Sequence, residues 1–294
     1  MSEDLKNWQP RPRPERKVLE GRYVRLEPLN AARHGDGLYE ASSVPDVDGR
    51  FAWLPDYPPE SRAAFQPWLD KVEASEDPLF FTVIDKTSGK VAGRQTLMRI
   101  DPAYGVIEIG NIYWGPVISR KPAATEAQFL FAKYAFDDLG YRRYEWKCNN
   151  RNEPSKRAAE RFGFRPEGVF RQHMIVKGEN RDTAWYSIID KEWPALKRAY
   201  EAWLDRSNFD AAGNQKRRNS SPIGVPGPTR VSVSLSSFVS MIGLLELISS
   251  VTRIAQHLSV CIFEKQVSYM RKIVFHMYAM NFAYTELKNS LDRY

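Results

Sequence analysis

Glu108 to Ala127 reads EIGNIYWGPVISRKPAATEA, and this stretch decides how the chain around it is organised. Its first part, taken back to Val106, is mostly apolar up to Trp114, the pattern of a strand inside a sheet. A Gly-Pro break ends it. From Thr125 the residues Ala127, Leu130, Phe131, Tyr134, Ala135 and Leu139 recur at helical spacing, which predicts a helix over 125–139 stopped by Gly140. A strand that ends in a short, small-residue loop and feeds a helix presents unpaired backbone N–H groups at the positive end of the helix dipole. Such a site suits a diphosphate. Ala123 and Ala124 let a ligand approach the main chain, and Arg120 and Lys121 offer cations to phosphate oxygens. The alternative reading of the loop alone is a plain connection with two exposed basic residues.

Working outward, Val18–Leu29 (VLEGRYVRLEPL) alternates around a glycine turn as an opening strand, and Asn30 is placed to cap a helix over 33–41. A loop rich in Pro and Asp leads to a helix over 60–74. Leu79–Asp85, the turn KTSGK and Val91–Ile100 read as a β-hairpin. Downstream, Tyr141–Cys148 is a strand, Pro154–Phe162 a short helix stopped by Gly163, Phe170–Val176 and Arg181–Ile188 a second hairpin, and Glu192–Leu204 a closing helix. This order defines a mixed α/β domain.

Composition narrows the class further. With 43% hydrophobic and 27% charged residues the chain has material for a core and is not of disordered type. Cys148 and Cys261, and the histidines at 34, 173, 257 and 276, fall in no CxxC or HExxH pattern, so neither a disulfide scaffold nor a metal is expected. The first 17 residues, rich in Pro, Arg and Glu, read as a flexible arm rather than a signal segment, and a cytoplasmic location is expected. Of the net charge of +7, residues 218–294 carry +4 and the remainder +3, interspersed, which is no footprint of a nucleic-acid binder.

The domain is expected over 18–212. A basic, Ser/Pro/Gly-rich linker follows over 213–237. The last segment, 238–294, reads as a helical or poorly ordered extension. Its apolar stretch 238–263 is interrupted by Glu246, Arg253, Gln256 and His257, so no membrane span is expected.

The chain from about Leu19 to Leu204 resembles the GNAT superfamily of N-acetyltransferases, in particular its ribosomal-protein-alanine N-acetyltransferase-like branch. The resemblance is carried by EIG at Glu108–Gly110, ATEA at Ala124–Ala127, NEPS at Asn152–Ser155 and RFGF at Arg161–Phe164, in this order. It implies a largely antiparallel splayed sheet flanked by helices, acetyl-CoA as co-substrate, and direct transfer of acetyl to a primary amine of a small molecule or protein N-terminus. Neither cysteine falls in these motifs, in keeping with a reaction that has no covalent enzyme intermediate.

The resemblance also assigns roles. The oxyanion is met by a backbone N–H near a strand bulge within 111–114, and Ile112, Trp114, Arg120, Lys121, Ala123, Ala124, Thr125 and Asn152 hold the cofactor. Glu108 stands where the family has a general base, against the simpler reading of an ion-paired strand carboxylate. Many members use a tyrosine acid at the position that is Ala159 here. The NxxS serine of the resembling branch lies near the CoA sulfur, so the resemblance implies Ser155 as the substitute proton donor, unless it serves only the start of its helix. Ser119 and Pro122 depart from the family's phosphate loop, and Pro122 removes one N–H donor. These departures define the alternative, a non-catalytic acyl-CoA-binding or interaction module. Trp53, Tyr57, His173, Arg181, Trp185 and Tyr186 are candidates for the acceptor pocket, although aromatics in such strands more often belong to the core. A homodimer is compatible with the sequence.

Overall fold

The computed structural model describes residues 5–210 and 215–216. One sheet of eight strands organises them, in the order β1-β2-β3-β4-β5-β6-β8-β7. β1 (Leu19–Glu20) and β2 (Val24–Pro28) are joined by a turn at Gly21. The single strand expected over 18–29 is split there because the carboxylate of Glu126 accepts the N–H groups of Arg22, Tyr23 and Val24 at 2.8, 2.5 and 2.9 Å.

α1 (Ala31–Ser42) starts where Asn30 accepts the N–H of Arg33, as the capping rule predicts. α2 (Val47–Phe51) is a short helix inside the segment expected to be loop, and Ser61 caps α3 (Arg62–Ala74). β3 (Leu79–Asp85), β4 (Val91–Asp101) and β5 (Val106–Trp114) form an antiparallel meander. α4 (Pro122–Lys133) continues into a π-helical turn at Tyr134–Asp138 and crosses over to β6 (Arg143–Asn149). α5 (Glu153–Arg161), β7 (Arg165–Val176), β8 (Glu179–Ile189) and α6 (Trp193–Leu204) complete the domain. β7 begins five residues earlier than its pattern suggests, because this edge strand is exposed along most of its length and lacks the in-out alternation of a half-buried one.

Neighbouring strands are antiparallel throughout except β5 and β6, which pair in parallel. That pairing runs only from Val106–Ile109 against Arg143–Trp146. Beyond it the two strands part, and α4 and α5 start on either side of the gap. α4 is buried from Ala123 to Ala132 and lies in the main core with Phe81, Tyr144 and Tyr200. α1 and α3 cover the other face of the sheet in a second cluster around Leu38, Leu69 and Phe80.

The first residues depart from expectation. From Leu5 onward the predicted flexible arm lies along the domain. Trp8 Nε1 donates to Ala103 O at 2.7 Å, Arg11 N to Pro102 O at 2.9 Å and Glu15 N to Tyr134 Oη at 2.8 Å. An extended Pro-rich segment has no partners of its own for its N–H groups, and the domain supplies them. The expected linker (213–237, apart from Gln215 and Lys216) and extension (238–294) lie outside the described residues. Among the described residues no helix is long and apolar enough to cross a membrane.

Glu126 is 5% exposed and sits at the junction of α4 with the sheet edge. Hydrogen bonds to a charged group contribute about 1.5–3 kcal/mol each, so Glu126→Ala, which strands three backbone donors, is expected to cost about 3 kcal/mol or more. Urea denaturation of the two proteins measures it.

Candidate functional site

The strand separation has a local cause. Arg94 pairs with Tyr113 and Thr96 with Gly110, so β5 carries one extra residue between these pairs. The bulge is at Asn111, whose φ of 48° lies in the left-handed region. The protein pins its carbonyls: Thr96 Oγ1 donates to Gly110 O at 3.0 Å and Arg94 Nη1 to Asn111 O at 3.4 Å. The Arg94 side chain is buried, ion-paired to Asp56, with its guanidinium 4.6 Å from the Trp68 ring centroid. Asp56 precedes α3, so one buried pair ties the loop after α2 to the bulge.

The gap between β5 and β6 opens into a cleft of about 460 Å³ that takes lining from both faces of the sheet. Side-chain alternation sorts the contributors. On the α4–α5 face stand Trp146 and Cys148 of β6 with Asn152, Ser155 and Ala158 of α5. On the opposite face stand Glu108, Lys147, Met98 and Arg181, closed by Trp53, Leu54 and Pro55 after α2. Ile112 and Trp114 line the cleft beyond the bulge.

Glu108 is buried (4% exposed) and takes Lys147 Nζ at 2.9 Å and Arg99 Nε at 3.2 Å. The alternative to a base, an exposed ion-paired carboxylate, therefore holds for the pairing and fails for the exposure. Burial raises its carboxyl above the ordinary range, against the opposing pull of Lys147 and Arg99. Lys147 also reaches Glu145 at 2.6 Å and stacks 3.9 Å above the Trp185 ring centroid. Arg143 bridges Glu145 to Glu167, so alternating charges run across the sheet from the cleft to its edge.

On the other face Asn152 caps α5 by accepting the Ser155 N–H at 3.1 Å, and Ser155 Oγ accepts Trp146 Nε1 at 3.0 Å. Cys148, outside the sequence motifs, lies beside this hydroxyl and hydrogen-bonds with it. Burial pushes its thiol up, which keeps it protonated and a poor nucleophile at neutral pH. Ala159 is buried in the core, one residue past the cleft-facing Ala158.

The loop before α4 winds through short turns, with Lys121 N bonded to Ile118 O and Ala124 N to Lys121 O. Arg120 has a φ of 62°, Pro122 is the first helical residue, and the side chains of Arg120 and Lys121 are exposed at the helix start. At that position a helical N–H has no intrahelical acceptor, so the proline removes one donor without breaking the helix. Ala123 and Ala124 are buried, and Thr125 Oγ1 accepts Arg161 Nη2 at 3.0 Å.

The acceptor candidates divide. Trp53 and Arg181 line the cleft. Tyr57 stands outside it, its ring 4.3 Å from Lys177 Nζ, and His173 packs against Phe170 and Trp185 with its Nδ1 3.0 Å from Thr183 Oγ1. Tyr186 is a core residue, 3% exposed, reaching Glu160 at 3.4 Å. Arg181 and Trp185 share one face of β8 and Tyr186 takes the other, so the expectation that Tyr186 joins them is corrected. Among the described residues no His/Cys/Asp/Glu cluster could hold a metal ion.

The fold agrees with comparisons to known proteins. The model of the acetyltransferase (GNAT) domain matches residues 24–165. A GCN5-related N-acetyltransferase from Brucella melitensis is 73% identical, with a TM-score of 0.72 over 72% of this chain and 96% of that one. A GNAT-family chain from Chromobacterium violaceum is 39% identical, with a TM-score of 0.62 over 66% of this chain and 97% of that one. The chain belongs to the GCN5-related N-acetyltransferase family. The Bacillus subtilis protein YdaF is 32% identical over 110 residues, 37% of this chain and 59% of YdaF, so that match spans about three fifths of the relative's length.

Breaking a buried ion pair by removing one partner costs about 3–5 kcal/mol, because the other charge stays buried. Asp56→Ala, which strands the 2%-exposed Arg94, is therefore expected to lower stability by about 3 kcal/mol and to loosen the bulge. Calorimetric unfolding reads the first effect and hydrogen exchange at Asn111 and Ile112 the second.

Proposed function

We propose that the protein transfers acetyl from acetyl-CoA to a primary amine by direct attack in a ternary complex. The observation that carries this reading is the cleft through the sheet at the β5 bulge, with Glu108 on one face and Ser155 on the other. The cofactor's diphosphate would lie at the start of α4, against the exposed Arg120 and Lys121 and the small Ala123 and Ala124. Its pantetheine arm would run between β5 and β6, past Ile112, Trp114 and Asn152. Asn152 spends its side-chain oxygen on the α5 cap, so its amide nitrogen is the group available to the arm.

The thioester carbonyl then falls at the bulge. The amine lone pair forms the new C–N bond, and the N–H groups of the bulged residues stabilise the negative oxygen of the tetrahedral intermediate. The C–S bond breaks and the sulfur leaves as thiolate. Glu108 takes the amine's proton, directly or through water, and loses it to solvent, and Ser155 passes a proton to the thiolate while its own oxygen regains one from water. Because Trp146 Nε1 already occupies an acceptor site of the Ser155 oxygen, the hydroxyl proton is turned toward other partners. Base and acid thus work from opposite faces of the sheet, one beside the attacking nitrogen and the other beside the departing sulfur.

Isothermal titration is expected to show acetyl-CoA binding, and no binding at millimolar ligand would overturn this reading. Glu108→Gln keeps the shape of the side chain and removes the base. It is expected to lower kcat by about a hundredfold with little change in acetyl-CoA affinity. In the parent protein the rate should rise with pH through the raised Glu108 value, because the ionised form is the base, and that rise should vanish in the variant.

A further inference from the structure

Resting on the acetyltransferase reading, we infer that the acceptor is a small apolar primary amine that also bears a carboxylate, and that Arg181 receives the carboxylate. Four cations, Arg50, Arg99, Lys147 and Arg181, line the cleft together with one carboxylate, Glu108. Arg50 is paired with Asp46 at 2.9 Å. Arg99 and Lys147 are both engaged by Glu108, and Lys147 also by Glu145.

Arg181 differs from its neighbours. Its Nε donates to Thr183 Oγ1 at 3.1 Å, and among the described residues no carboxylate is ion-paired to it. Thr183 is fully buried, so this bond fixes the plane of a guanidinium whose position in the cleft is half-buried. A desolvated, oriented guanidinium beside a reaction site matches a carboxylate through two parallel N–H···O bonds. Arg99 adds positive charge around the Arg181 guanidinium, and Glu108 opposes with one carboxylate. His173, one strand away, is held below its usual value by burial and then by Arg99, Arg181 and Lys147.

The shape of the cleft selects size. Beyond Arg181 the β7–β8 hairpin returns across the acceptor face, and at its tip Lys177 Nζ donates to Phe51 O at 2.9 Å and covers the Tyr57 ring. The hairpin is thereby tied to α2 beside the cleft, which residues of both segments line, so an acceptor with a long chain would meet this tie on that side. Trp53, Leu54, Met98, Met174 and Val176 supply apolar walls for the body of the acceptor. A polyamine would set a second cation against Arg181 and Arg99. A protein N-terminus would bring a neutral peptide group to the guanidinium and its chain toward the tie between the hairpin and α2.

The test is calorimetric binding of phenylalanine, leucine and methionine, each against its carboxamide, to the full chain saturated with CoA. At least one acid is expected to bind about tenfold or more tightly than its amide. In Arg181→Gln that acid-to-amide ratio should collapse toward one, and Arg181→Lys should recover part of it. Acetylation assays with acetyl-CoA should give the same order, even though more of the amide's less basic amine is unprotonated at neutral pH. If no acid outbinds its amide, or if the ratio survives in Arg181→Gln that still binds CoA, the inference is overturned. That outcome is distinct from failure of the acetyltransferase reading, in which acetyl-CoA itself does not bind.

Discussion

One inserted residue governs the geometry of this domain. β5 and β6 run side by side from Val106 to Ile109, and then the extra residue at Asn111 turns β5 away from its neighbour. A continuous sheet would have joined those strands and closed the only passage between its two faces that the cleft uses. The bulge is held from three directions: by Arg94 with Asp56, by the Thr96 hydroxyl, and by the indole of Trp114 on Gln95 at 3.0 Å. Gln95 in turn donates to Ala127 O in α4 at 3.0 Å, so the gap and the helix start are parts of one hydrogen-bonded assembly.

The opening gives each face a different chemistry. The α4–α5 face offers neutral hydrogen-bonding groups, Ser155, Trp146, Asn152 and the protonated thiol of Cys148. The opposite face carries the charged set that begins at Glu108. Glu108 is held by Lys147 and Arg99, and the row of ion pairs continues from Lys147 through Glu145 and Arg143 to Glu167. Removing any one of these groups alters the setting of the others, so substitutions along the row should be read as a coupled set.

Much of the fold was legible because local signals agreed with it. β3 and β5 occupy the residues their apolar runs mark, and Asn30 caps α1 where the spacing places it. α2 was not legible, since Asp48 and Gly49 inside five residues give no helical pattern. The start of β7 was hidden because an exposed edge strand does not alternate. The N-terminal segment was misread because its anchors, Trp8 and Arg11, are single residues in a Pro-rich run. In the cleft, Glu108, Ser155, Asn152, Trp53 and Arg181 were readable from motifs or residue type. Arg99, Lys147 and Cys148 were not, because their place depends on how β4, β5 and β6 register against one another. Tyr186 was within reach of the sequence: it is an odd number of residues from Arg181, and the two-residue period of a strand puts them on opposite faces.

The hydrogen bonds of Glu126 have a further consequence. They lock α4 to the turn between β1 and β2 one turn beyond the helix start, so the height of the helix is set from within the core. The loop from Gly115 to Lys121 therefore need not act as the ruler that positions the first amides. Pro122 can stand as the first residue of the helix without the reference point being disturbed, because that point lies elsewhere. Drift of this one buried glutamate would shift the start of α4 against the whole sheet edge.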